Sequence, residues 1–117
     1  MEAGHALTSP LGRITISSGA IAQIVAETAV ECYGVVGMKG SLRGRMARGK
    51  ARARGIEIGR DREGGVTADL HVVVEYGLNL AEVASTIRNR VGYEVGRLTG
   101  LAVRAVEVHI DDVRRSE

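Results

Sequence analysis

Val66-Thr-Ala-Asp-Leu-His-Val-Val-Val-Glu-Tyr76 alternates between two kinds of side chain along its length. Ala68, Leu70, Val72, Val74 and Tyr76 fall on one side, and Asp69, His71 and Glu75 fall on the other. A period of two marks a half-buried β-strand, and a strand greasy on one face must lie against a second layer.

The second layer is written on both sides of this strand. Downstream, Gly77 ends it and Asn79 opens a helix, with Glu82 three residues on in a capping-box pattern. Leu80, Val83, Ala84, Ile87, Val91, Val95 and Leu98 recur at helical spacing, and Gly100 followed by Leu101 fits a left-handed helix ending. Leu101 to Val113 then reads as a strand burying Val106, Val108 and Ile110, with a bulge expected near Ala105 where the alternation slips. Upstream, Gly64-Gly65 supplies a hairpin turn and Gly55 to Arg60 a partner strand with Ile56 and Ile58 on one side. Gly12 to Ser17 alternates as another short strand, and Ser18 caps a helix running to about Tyr33. Its apolar stripe is Ile21, Ile24, Val25, Thr28, Ala29 and Cys32.

The element order is therefore β-α-β-β-α-β. The expected fold class is α+β: a two-layer sandwich with two amphipathic helices packed on one face of a mixed four-stranded sheet. Residues 1–10 read as a flexible leader ended by Pro10, residues 11–113 as a single domain, and residues 114–117 as a C-terminal end. A basic, Gly/Arg-rich loop is expected at residues 37–54, inside a glycine-rich stretch from Gly34 to Gly55.

Composition agrees with one ordinary globular core. The chain has 117 residues, 44% hydrophobic and 26% charged, without Trp or Phe and with three Tyr, so aliphatic side chains must fill the interior. A chain of this size buries roughly two-thirds of its unfolded surface. The single cysteine, Cys32, excludes an internal disulfide and suits a reducing compartment. Neither a secretory signal pattern nor an uncharged run long enough to cross a bilayer is visible, which predicts a cytoplasmic protein.

Net charge is +2, but it is divided unevenly. Lys39, Arg43, Arg45, Arg48, Lys50, Arg52 and Arg54 form a segment without acids, while the other nine basic residues face all fourteen acids and leave the remainder at −5. These seven residues are the candidates for binding an anion or an acidic partner. Gly37-Met38-Lys39-Gly40 also fits the GxxG loop of KH domains, which makes a nucleic-acid binder working through residues 39–54 the alternative function. Only Tyr33 lies nearby to stack a base.

Candidates for catalysis are sparse. Cys32 sits on a buried stripe and reads as core packing. His71 and His109 lie on polar strand faces, with Glu75, Glu107 and Asp111 near them in sequence; a metal site there requires their two strands to pair in register, so none is expected. Gly44 to Lys50 has the glycine and lysine positions of a phosphate loop, but Ala51 follows where a hydroxyl must hold magnesium. Gly92 and Gly96 form a GxxxG that suits close backbone approach, while Glu94 and Arg97 exclude a membrane span. No catalytic residue, metal or cofactor is expected.

Five blocks in order carry a resemblance: Gly12-Arg-Ile-Thr-Ile-Ser17, Glu31-Cys-Tyr-Gly-Val-Val-Gly-Met38, Arg54-Gly-Ile-Glu-Ile58, Val66 to Gly77, and Leu98 to Ile110. Together they resemble the alkaline shock protein family of bacterial envelope stress response proteins, also called the general stress protein 24 type. The resemblance implies a small α/β domain without known enzymatic activity, acting as a self-associating scaffold or adaptor in cell-envelope homeostasis. It further implies, for some members, recruitment to the inner face of the membrane by a membrane-anchored protein partner, and for others a dihydroxyacetone-kinase-like protein encoded alongside. Two departures stand out: the arginine richness of Lys39 to Arg54, and Glu107 where asparagine is common.

Overall fold

The computed structural model describes residues 4–38 and 55–115. Its elements are β1 (Gly4–Ser9), β2 (Gly12–Ser17), α1 (Ser18–Val30), β3 (Val35–Met38), β4 (Ile56–Arg60), β5 (Val66–Glu75), α2 (Leu80–Thr99) and β6 (Val103–Arg114). The expected α+β class holds, with both helices on one face of a mixed four-stranded sheet.

β5 is the axis of that sheet. β6 runs parallel to it, from Val66 opposite Val103 to Glu75 opposite Arg114. Against its other edge, β4 pairs antiparallel with Val66 to Leu70 and β3 pairs antiparallel with Val72 to Val74. β3 and β4 therefore lie end to end along one edge, and β6 takes the other.

The alternation of β5 decides which face is covered. Val66, Ala68, Leu70, Val72 and Val74 are buried together with Ile21, Val25 and Ala29 of α1 and Val83, Ile87, Val91 and Val95 of α2. Leu70 is wholly buried, which stabilises the fold by about 1.5–3 kcal/mol relative to an exposed side chain. Caps fix the helix ends. The Ser17 Oγ accepts from the Ala20 amide at 3.0 Å, and the Asn79 Oδ1 accepts from the Glu82 amide at 3.0 Å. Gly100 ends α2 at φ +78°, the left-handed conformation its position requires. At the β4–β5 turn, the Asp61 carboxylate accepts from the Glu63 and Gly65 amides.

Several expectations are corrected. Residues 4–9 of the anticipated leader are strand β1, paired from Gly4 opposite Ser17 to Ser9 opposite Gly12. An isolated two-stranded hairpin is marginal in water, and this one is tied down through its inner side: His5 is buried, and Leu7 and Ile16 pack on the core. Gly12 to Ser17 is the expected strand, but it belongs to this hairpin, and β3 is the fourth strand of the main sheet. β3 also takes Gly37 and Met38 out of the anticipated loop; the flanking glycines conceal a strand of only four residues.

The helix stripes are narrower than their sequence suggests. α1 stops at Val30, before Tyr33, and its N-cap is Ser17 where Ser18 was expected. Tyr76, Leu80 and Leu98 are exposed, whereas Thr99 is buried and its hydroxyl donates to the Val95 carbonyl at 2.6 Å. The slip in β6 falls at Arg104, between the paired residues Val103 and Ala105, and a second slip falls at Asp111.

Candidate functional site

The helices cover one face of the sheet; on the opposite face Thr67, Asp69, His71 and Glu75 of β5 are half-buried and Val73 is buried. Register builds that face row by row, because residues directly opposite one another in a sheet share a face. Glu57, Asp69 and Glu107 form one row across β4, β5 and β6. In the next row His71 lies opposite His109.

The two imidazoles stack, with centroids 4.5 Å apart and planes 13° from parallel. His71 Nδ1 lies 3.0 Å from Asp111 Oδ2 and 3.2 Å from Oδ1. An ionised carboxylate only accepts, so Nδ1 carries the proton of that hydrogen bond and, in the neutral ring, Nε2 keeps the lone pair. Asp111 is the residue skipped by the register slip, and the bulge places its side chain beside His71. Diagonally between the two rows, His109 Nε2 lies 3.8 Å from Asp69 Oδ1. Asp69, Glu107 and His109 each offer one ligand atom within 4.8 Å of the other two.

The cluster is shallow. Side-chain exposures run from 28% for Asp111 through 34% for His71 to 46% for Asp69, so the charges remain hydrated. It contains no serine, cysteine or lysine, and its side chains stand open to water. What these groups can do is accept protons or hold a cation.

The condition posed by the sequence is met, since the strands bearing His71 and His109 do pair in register. Asp111 joins the cluster as its spacing suggested, and Glu107 adjoins His109 on the same face. Glu75 does not, lying at the far end of β5 opposite Arg114. Asp69 is the member that sequence reasoning left out of the metal set; its position on the polar side of β5 was the available signal.

Other candidates resolve differently. Cys32 is buried, its Sγ donates to the Thr28 carbonyl at 3.5 Å, and burial pushes its thiol above the ordinary range, the opposite of an activated nucleophile. His5 is buried with Nε2 3.2 Å from Ser18 Oγ; burial, and then the charge of Arg60, hold its pKa below the ordinary value. The GxxxG glycines mark no close approach among the described residues: a Cβ on Gly92 would lie 4.0 Å from Val106 Cγ2, and one on Gly96 3.8 Å from the Leu101 carbonyl, both ordinary contact distances. Between α1 and α2 an open groove of about 410 Å³ is crossed by the Arg90–Glu31 pair at 3.6 Å.

Lys39, Arg43, Arg45, Arg48, Lys50, Arg52 and Arg54 lie outside the described residues, as does the Gly44 to Lys50 sequence. Their point of attachment is described. Met38 is opposite Val72, Ile56 is opposite Leu70, and the Gly55 carbonyl accepts from the His71 amide at 2.9 Å. The first half of the KH-like tetrapeptide is strand, with Met38 buried, which is not the exposed loop that a GxxG clamp needs.

β6 offers a second kind of surface. Among the described residues it pairs with β5 alone, so no described strand pairs along its far edge. No described helix is long and apolar enough to cross a membrane.

Residues 6–115 match the alkaline shock protein 23 family, described as having a cell envelope-related function. An uncharacterized protein of Bacillus subtilis strain 168, YloU, is 33% identical over 113 residues, covering 92% of this chain and 93% of the relative. The uncharacterized protein Spy1614 of Streptococcus pyogenes serotype M6 is 29% identical over 108 residues, with 88% of each chain covered. A second uncharacterized B. subtilis protein, YqhY, is 25% identical over 107 residues, covering 86% of this chain and 76% of the relative. No solved structure matches.

Proposed function

The chain belongs to the alkaline shock protein 23 family, of cell envelope-related function, and from that premise we propose that it serves envelope homeostasis as a cytoplasmic, non-catalytic adaptor that self-associates through the free edge of β6. The observation that carries this reading is the edge itself. An unpaired strand edge presents a row of backbone donors and acceptors that another extended strand can satisfy. β6 is the longest strand among the described residues, and its side chains are exposed or half-exposed. A second copy presents the same edge, so two chains can continue one sheet through the other about a two-fold axis.

The cytoplasmic setting is supported by the lone buried Cys32. Recruitment to the membrane then falls to a membrane-anchored protein partner, and a dihydroxyacetone-kinase-like protein is the other partner the family resemblance implies. A non-catalytic role is supported by the shallow, hydrated setting of the histidine cluster.

Hydrogen exchange followed over a concentration series tests the adaptor reading. Backbone amides of β6 alternate between bonding β5 and pointing to solvent. The outward set is expected to exchange freely in dilute protein and to gain protection as concentration rises. If protection in Val103 to Arg114 is independent of concentration, β6 is not the self-association surface.

A further inference from the structure

We propose that Asp69, Glu107 and His109 form a binding site for a divalent transition-metal ion of the zinc class on the open face of the sheet. The site rests on side-chain geometry on that face and is independent of the β6 edge and of the family reading.

The backbone supplies the spacing. Asp69 and Glu107 are direct neighbours on adjacent parallel strands, and His109 follows Glu107 by two residues, which returns it to the same face. Their ligand atoms already lie within 4.8 Å of one another, and His109 Nε2 is 3.8 Å from Asp69 Oδ1. Zinc bonds of about 2.0–2.2 Å in a tetrahedral site hold neighbouring ligand atoms roughly 3.3–3.6 Å apart. Closing that difference takes rotation of exposed side chains, without movement of the sheet.

Electrostatics points the same way. Three carboxylates, Glu57, Asp69 and Glu107, occupy one row across the sheet. Like charges directly opposite one another on neighbouring strands repel. A bound cation removes that repulsion, and ligation by two of the three carboxylates leaves Glu57 in the outer shell.

The donor set selects the metal. Magnesium and calcium favour oxygen ligands alone, whereas an imidazole with carboxylates suits zinc and its transition-metal neighbours. The neighbouring ring adds orientation. His71 is held by Asp111 at 3.0 Å and stacks on His109, so the ring plane of His109 is set before a metal arrives. Three protein ligands leave one position for water or a partner's side chain.

The choice of residues is also narrow. Of the three histidines, His5 is buried, which leaves His71 and His109 at the surface, and Cys32 is buried on the helix side.

The test uses full-length protein purified without a histidine tag and stripped with a chelator. Zn2+ is titrated against it by calorimetry, and the amide and imidazole resonances are followed by NMR. One saturable Zn2+ per chain is expected, with the His109 imidazole shifting most and Mg2+ producing neither effect. His109→Ala, and separately Asp69→Asn combined with Glu107→Gln, should each weaken Zn2+ binding at least tenfold while circular dichroism stays unchanged. These positions are exposed enough for the variants to fold. Absence of saturable Zn2+ binding, or equal binding by wild type and both variants, would overturn the proposal.

Discussion

The amide of His71 donates to the carbonyl of Gly55 at 2.9 Å, at the point where the chain rejoins the sheet after residues 39–54. Met38, the last described residue before that segment, is opposite Val72, and Ile56 is opposite Leu70. Val72, His71 and Leu70 thus face Met38, Gly55 and Ile56 in unbroken order. β3 and β4 behave as one edge strand with a basic insertion.

Deleting residues 39–54, so that Met38 is joined to Gly55, should therefore leave the fold intact. The shorter chain brings the ends of β3 and β4 together across fewer residues, so its midpoint in urea should be unchanged or higher. Circular dichroism and a urea titration check this. Loss of the folded baseline would show that the insertion, and not only its ends, supports the sheet. The same variant isolates any function of the seven basic residues.

Acid sensitivity should trace in part to His5. Burial and Arg60 lower its pKa in the folded chain, so the unfolded chain takes up a proton first as pH falls. The stability linked to this ring is present above about pH 6.5, the ordinary histidine value, and is lost as pH drops below it. His5→Gln cannot take up the proton. Its urea midpoint should change less between neutral and mildly acidic pH than that of wild type. Equal acid sensitivity in both proteins would remove His5 from the explanation.

Gly34→Ala should cost roughly 1–3 kcal/mol, the usual range for a residue held in a disfavoured backbone conformation. Gly34 has φ +93°, and a Cβ there would meet Leu78 Cδ1 at 2.7 Å. Gly77→Ala provides the comparison, since its φ is +103° but its Cβ would meet nothing within 4 Å. The first variant should be the less stable of the two by thermal melting.

Cys32 should resist modification. It is buried and its thiol is pushed away from the reactive thiolate, so alkylation of the native protein should be slow and should accelerate in denaturant. Rapid modification at neutral pH in the native state would contradict its placement in the core.

Legibility from sequence tracked how strongly each element is patterned. β5 carries a long alternation, α2 has a cap at each end, and the Asp61–Gly65 turn has its glycines, so all three read directly. β3 has only four residues and is enclosed by glycines, while the inward side of β1 carries His5 beside Leu7, so a buried polar ring hides its alternation. The helix ends Leu80 and Leu98 fit a stripe by spacing, yet they lie beyond the edge of the layer they would cover. The open face shows the same limit. Its residues were identifiable as polar, but the register that places His71 against His109 and Asp69 against Glu107 is a property of the folded pair. β5 and β6 pair in parallel through the α2 crossover, and their residue-by-residue alignment is fixed only in the folded sheet.

Sedimentation and light scattering, from micromolar to millimolar protein, test the adaptor account most directly. Proline substitutions at successive positions from Val106 to Ile110 extend the measurement, because proline removes one backbone donor at a time. Wild-type mass should rise with concentration. Prolines that remove an outward amide should leave a folded monomer, and those that remove an inward amide should destabilise the sheet. A wild-type protein that stays monomeric throughout the range would contradict assembly through the β6 edge.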